Sequence, residues 1–156
     1  MRQPRLPRRL QGLLAVLPEA EAVADVAAGH GALAVHLAAR SQRVIATEGT
    51  DGPFRELCRN LERWEAAERV EARWGSGLEP LAAGEVEGVV VAGLGARRLS
   101  RIAAGAPGRG LRWLALQCVQ DPDVLAAWVR ETGWRVAVET VCEQSGRLYP
   151  TWVLEM

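Results

Sequence analysis

Lysine is missing altogether: all 19 basic side chains among the 156 residues are arginine. A genome rich in G and C accounts for this more simply than heat adaptation, of which arginine-for-lysine replacement is only a weak general sign. Cysteine is scarce. Cys58, Cys118 and Cys142 are widely spaced, odd in number and form no Cys-x-x-Cys pair. That pattern argues against a disulfide framework or a zinc site and reads as small, buried apolar side chains in a reducing cytoplasm. No apolar run approaches the length of a membrane span, so no membrane is expected as a partner, and the cysteine pattern leaves no metal expected. No long apolar segment follows the basic start MRQPRLPRRL, which argues against a secretory signal and leaves a cytoplasmic location as the expectation. Net charge is absent too, 19 acidic residues balancing the 19 basic ones, so the chain as a whole is no electrostatic attractor for nucleic acid. The charge is unevenly spread: Arg2, Arg5, Arg8 and Arg9 crowd the N-terminus, and Glu62, Glu65, Glu68 and Glu71 lie together. The length suits one α/β domain over residues 1–156, with a basic helix in its first 20 residues.

Leucines at 6, 10, 13, 14 and 17 recur at helical spacing, and Pro18 ends that helix. The apolar run Ala22–Val26, with no polar alternation, suits a strand buried on both faces. A helix over Gly31–Arg40, a strand over Arg43–Glu48 and a helix over Gly52–Glu68 follow, then strands over Arg69–Gly75 and Gly88–Gly95. A helix over Arg97–Ala106 and a strand over Leu111–Cys118 precede a last helix, Asp121–Trp134, capped by Asp121 with Pro122 in its first turn and closed by Gly133. Two further strands are separated only by a few turn residues around Ser145 and Gly146 and must therefore pair antiparallel. The expectation is a mostly parallel, seven-stranded, Rossmann-like sheet with helices on both faces and a terminal antiparallel strand, the usual layout of class I methyltransferases.

Ligands of open α/β sheets bind beyond the carboxyl ends of the strands. Four such ends carry glycine or a carboxylate: Asp25 followed by Gly29, His30 and Gly31; Glu48 with Gly49; Gly75, Ser76 and Gly77; and Ala92, Gly93, Leu94 and Gly95. Glycines there let the backbone approach a ligand, although tight strand-to-helix turns use glycine with no ligand at all. Glu48 lies about 20 residues past the first glycine, the separation of an acid that accepts ribose hydroxyls. Ala34 stands where a dinucleotide fingerprint would have its third glycine. That spacing keeps a nicotinamide-dependent oxidoreductase open, but Asp25 before the turn and the closing hairpin favour a methyl donor, whose sites place an acid there. His30 either faces the ligand or bonds backbone at the helix start, and His36 reads as a partly buried surface histidine. The six tryptophans read as core packing rather than a base-stacking platform. Arg97, Arg98 and Arg101 are either phosphate contacts or a solvated helix face.

Taken in order, LPRRLQGLLAVLP, VADVAAGHGALAVHLA, VIATEGTDGPF, RWGSGLEPL, VVVAGLGARRLSRI, LALQ and ETGWRVAVETVCEQSGRLYPTWVLE resemble the bacterial tRNA (adenine-22-N1)-methyltransferase family over essentially the whole chain. That family joins a class I methyltransferase domain to a smaller C-terminal helical domain, and a divergent chain without the second is the expectation. The resemblance implies S-adenosylmethionine as cofactor and tRNA as partner, with a methyl group passing to a ring nitrogen of adenine. It implies cofactor contacts from Asp25, Gly29, His30, Gly31, Glu48, Gly49, Gly75, Ser76, Gly77, Ala92 and Gly93, and a substrate-side catalytic turn at Gly93, Leu94 and Gly95. Arg8, Arg9, Arg97, Arg98 and Arg101 are the expected RNA phosphate contacts. The chain also departs from the family: Gly29 replaces an aspartate, Ser76 replaces the acid of Gly-Asp-Gly-Leu, and Gln117-Cys118-Val119 replaces Gln-Pro-Asn. A methyltransferase-fold protein that binds the cofactor but acts on a small molecule, or on nothing, is the alternative those departures favour.

Overall fold

The computed structural model describes residues 1–156. In chain order the elements are α1 (Arg8–Val16), β1 (Ala22–Val26), α2 (Ala32–Ala38), β2 (Arg43–Glu48), α3 (Asp51–Arg63), β3 (Val70–Trp74), β4 (Gly88–Gly95), α4 (Ala96–Ala103), β5 (Trp113–Gln120), α5 (Pro122–Thr132), β6 (Arg135–Gln144) and β7 (Arg147–Glu155). They build one seven-stranded sheet in the order β3-β2-β1-β4-β5-β7-β6. β3, β2, β1, β4 and β5 are parallel, and β7 runs antiparallel to both its neighbours. The antiparallel strand is thus last in sequence but second from the edge in space. Ser145 (φ 52°) and Gly146 (φ 76°) make the two-residue turn, whose paired positive φ values match the twist of the strands it joins.

The apolar sequence of the inner strands follows from their position between two helical layers. On one face Leu13 of α1, Leu33, Val35 and Leu37 of α2, and Leu57 and Leu61 of α3 pack on Val23, Val44, Val90 and Val153. On the other, Leu99 and Ala103 of α4 and Leu125 and Val129 of α5 pack on Ala24, Val26, Ile45, Val89 and Leu116. Gly88 lies directly opposite Trp113, whose indole occupies the space that a Cβ at 88 would need. Strand order reverses at β1, whose neighbours β2 and β4 lead off in opposite directions, so a crevice opens at the carboxyl ends there. No helix is long and apolar enough to cross a membrane.

Element ends differ from the sequence expectation at several helices. α1 begins only after Pro7, and Leu17 is already extended (φ −68°, ψ 134°), as a residue before proline prefers. α3 stops at Arg63 rather than Glu68. Glu65 takes a left-handed φ of 57° there, with Glu65 N–H donating to the Glu62 carbonyl and Ala66 N–H to Leu61, a helix-ending motif built without its usual glycine. Asp121 stands at the cap position of α5, but its side chain makes no capping bond and its backbone is left-handed. Gly133 does close that helix, at φ 70°. Trp74 corrects the reading of six core tryptophans: it is 52% exposed at the end of β3, its ring edge-on to Phe54. Cys118 and Cys142 are buried, whereas Cys58 is only half-buried.

Candidate functional site

The crevice at the carboxyl ends consists of two adjoining clefts that share Ala27, Glu48, Thr50 and Arg98. The larger, about 440 Å³, runs from Asp25 and residues 27–33 to Ala92, Gly93 and Leu94, with Arg9 and Leu10 closing it. The smaller is walled by Gly49, Gly75, Ser76, Gly77, Arg101 and Ile102. Every residue expected to hold the cofactor therefore lines one continuous crevice. Gly95 of the expected substrate-side turn does not: it caps α4, beside Gln120.

The turn after β1 is made by left-handed backbone at Ala27 (φ 57°), Gly29 (57°) and Gly31 (90°), and Ala28 N–H ties it to the Thr47 carbonyl at 3.0 Å. Gly31 has a second requirement, because a Cβ there would lie 2.6 Å from Leu57 Cδ1. The site residues that the sequence left unremarked, Ala27 and Thr50 among them, carry no distinctive residue type. Only the backbone conformation at Ala27 marks it.

Asp25, flanked by Ala46 and Val90 on the neighbouring strands, is 3% exposed, and its Oδ2 has no hydrogen-bond partner. Burial, reinforced by the nearby Glu48 charge, pushes its pKa up to about 7 against the opposing pull of the Ala34 amide. Glu48 is half-buried at the end of β2. Burial raises its pKa as well, partly offset by the Gly49 amide and by Arg98. An uncompensated buried carboxylate is costly, so Asp25, with the half-buried Glu48 on the adjacent strand, marks a candidate ligand site.

Glu48 is also where the β2 and β3 ends close on each other. Gly75 N–H donates to the Glu48 carbonyl at 3.1 Å, and a Cβ on Gly49 would lie 3.0 Å from the Gly75 oxygen. Pro80 fills the space beside Gly75. Gly93 (φ 83°) interrupts the pairing of β4 with β5, so that Leu94 rather than Gly93 faces Cys118, and this bulge turns the Ala92–Leu94 backbone toward the crevice.

His30 lines the crevice, but its Nδ1 lies 2.7 Å from Glu56 Oε1, a side-chain partner rather than the backbone one considered from sequence. His36 is half-buried, its Nε2 2.7 Å from the Pro4 carbonyl. The five arginines grouped as phosphate contacts separate into four places. Arg98 and Arg101 border the Glu48–Ser76 end of the crevice. Arg97 is exposed outside it, and Arg8 lies beside Arg5, Gln144 and Ser145 near the hairpin. Arg9 alone reaches Gly93, its Nη2 3.3 Å from where a Cβ would stand.

The protein-family model described as a methyltransferase domain matches residues 6–151. The chain is 27% identical, over 99% of its length, to the tRNA (adenine(22)-N(1))-methyltransferase of Bacillus subtilis, and covers 67% of that protein. The crystal structure of the B. subtilis enzyme superposes with a TM-score of 0.87 at 26% identity over 97% of this chain and 66% of that one. A Streptococcus pneumoniae protein put forward as a tRNA (m1A22) methyltransferase, solved with S-adenosyl-L-methionine, superposes with a TM-score of 0.89 at 25% identity over 97% of this chain and 73% of that one. The chain thus spans about two thirds of the length of the B. subtilis relative.

Proposed function

Because the chain belongs to the methyltransferase domain family, we propose that its crevice binds S-adenosylmethionine and directs the methyl group to N1 of an adenine in tRNA. The observation that carries this reading is the match over 99% of the chain to a bacterial enzyme with that activity. Such a substrate implies a cytoplasmic protein.

The residues of the crevice fit the cofactor. Asp25, with its unpartnered Oδ2, is the acceptor for the ammonium of the methionine half. Glu48 accepts the two ribose hydroxyls, and Ser76 offers the adenine one hydroxyl where an acid would offer a charge. When bound, the cofactor supplies a methyl carbon on a positively charged sulfur, and its transfer to N1 forms one carbon–nitrogen bond, breaks one carbon–sulfur bond and leaves the positive charge on the base. Adenine N1 carries a lone pair and no proton, so the chain needs no general base. Its work is to hold the two reactants in line and keep water out, which supplies much of the acceleration of such a reaction. Gly93 and Leu94, with no polar side chains, leave backbone free to border a base turned out of its stack. Arg98, beside Glu48, offsets part of the rise in pKa that burial imposes on that carboxylate.

The test is incubation of the protein with labelled methyl donor and two tRNA transcripts that differ only in carrying adenosine or guanosine at the acceptor position. Label is expected in the adenosine transcript alone. Binding of S-adenosylhomocysteine without label in either transcript would leave a cofactor-binding protein with a different acceptor. Absence of that binding would overturn the reading entirely.

A further inference from the structure

Arg9 is held in a way the other arginines of its group are not. Its Nη1 donates to Gln117 Oε1 at 3.0 Å, while Gln117 Nε2 donates back to the Arg9 carbonyl at 2.9 Å and to Thr151 Oγ1 at 3.0 Å. Gln117 and Thr151 are fully buried. Arg9 N–H in turn donates to Gln144 Oε1 at 3.1 Å, so the first turn of α1 is tied to β5, β6 and β7 together. The guanidinium carbon sits 5.5 Å from the centre of the Tyr149 ring, and a second guanidinium, that of Arg147, sits 5.5 Å from the same ring. Arg147 is fixed by its own bond to the Val119 carbonyl at 2.7 Å.

Neither cation has a carboxylate. The chain's ion pairs engage Arg43, Arg73, Arg112 and Arg135, and none includes Arg9 or Arg147. Gln117 satisfies one Arg9 nitrogen with a neutral amide oxygen and leaves Nη2 turned to Gly93, where the missing side chain keeps it open to the cleft. Two guanidinium groups sharing one aromatic ring repel each other, and without a counter-ion the fold bears that cost. A guanidinium fixed by Gln117 and the Tyr149 ring, on a backbone held by Gln144, and left with free donors is preorganised for an anion.

We propose that Arg9, with Arg147 behind Tyr149, receives the phosphate of the acceptor nucleotide itself. The assignment rests on the tRNA reading above, and charge decides which part of the nucleotide is meant. Methylation at N1 leaves the base positive, so a guanidinium against the ring would oppose the reaction, whereas one against the adjoining phosphate holds the nucleotide without touching the developing charge. Arg9 is then a positioning residue at the mouth of the base pocket, and its contact is made equally before and during transfer. Loss of such a contact raises KM and leaves kcat nearly unchanged.

The test uses wild-type protein and Arg9→Gln with tRNA transcripts that carry a single neutral methylphosphonate at one or the other linkage flanking the acceptor adenosine. In the wild type, one of the two neutral linkages is expected to raise KM about 10- to 100-fold, the size of a lost charge-assisted hydrogen bond. Arg9→Gln is expected to show that KM on the unmodified transcript, to be indifferent to the same linkage, and to bind S-adenosylhomocysteine as the wild type does. The linkage arm needs no variant, so a wild type indifferent to both linkages overturns the assignment even where Arg9→Gln fails to fold. A wild type that methylates but ignores both linkages overturns this assignment alone, as does an Arg9→Gln protein that stays fully sensitive to the linkage. A wild type that methylates no tRNA overturns the tRNA reading and this assignment with it.

Discussion

The carboxylates entering β4 and those leaving β1 and β2 belong to opposite ends of one sheet, and they are treated in opposite ways. At the entry, Glu87 accepts the Glu21 amide at 2.8 Å and Arg112 Nη1 at 3.0 Å, and these bonds hold its pKa below the usual range. Glu85 is bound by Arg73 through both oxygens, at 2.6 and 2.7 Å, by Arg43 at 2.9 Å and by the Ala82 amide at 2.9 Å, which brings its pKa down to about 2. At the exit, Asp25 and Glu48 are both raised, and Asp25 keeps one oxygen unpartnered. The same residue chemistry thus serves cohesion where donors surround it and remains available where they are withheld. The second condition carries a cost in stability that a bound cation would offset.

The contrast breaks most sharply at Asp25. Asp25→Asn keeps the shape and removes the charge, and we expect affinity for S-adenosylhomocysteine to fall about 100-fold by calorimetry, with the folded protein no less stable at neutral pH. Glu48→Ala comes next. Loss of hydrogen bonds to a ribose should weaken the same binding by on the order of 1–3 kcal/mol, and an unchanged affinity would remove Glu48 from the site.

At the entry end the expected readout is stability instead of binding. Glu85→Gln should lower stability by roughly 1–3 kcal/mol, measured by denaturant unfolding, because it strips charge from a carboxylate bound by two arginines. The wild-type contribution of Glu85 should be fully present above about pH 4.5 and fade as pH falls toward 2, since its folded pKa is depressed. Arg112→Ala, removing a pair whose arginine is largely exposed, should change stability least and leave cofactor affinity unchanged. An entry-end substitution that weakened binding as Asp25→Asn does would erase the distinction between the two ends.

Much of this architecture is legible in the residues, for reasons that also mark where legibility stops. Apolar runs separated by helical spacing give the β-α alternation, and two strands with only a turn between them force the antiparallel pair. Gly29, Gly31, Gly49, Gly75 and Gly93 signal their turns because left-handed or crowded backbone excludes a Cβ. Ala27, Glu65 and Asp121 adopt left-handed backbone with ordinary side chains, so nothing in the sequence announces them. Helix azimuth is the other blind spot. That Arg98 and Arg101 reach the Glu48 end while Arg97 faces solvent depends on how α4 lies on the sheet, and the burial of Arg9 depends on Gln117, 108 residues away. Trp74 follows the strand pattern of a core residue, but it ends β3, the sheet's edge strand, and stays 52% exposed even with Phe54 of α3 against its ring.

Asp25 also gives the account its most direct test. Its folded pKa, pushed up to about 7, lies well above the ordinary aspartate range. The folded, ligand-free protein therefore holds a proton that the unfolded chain releases, and stability should decline as pH rises from about 4 to 7. A ligand ammonium requires the ionised form, so affinity should run the other way. The measurement is calorimetric titration of the wild type and Asp25→Asn with S-adenosylhomocysteine from about pH 5.5 to 8. The account predicts that wild-type affinity drops as pH falls below about 7, approaching tenfold per unit at the acid end, and that Asp25→Asn binds weakly with no such dependence. Wild-type affinity that stays level across that range, or that Asp25→Asn matches, would contradict it.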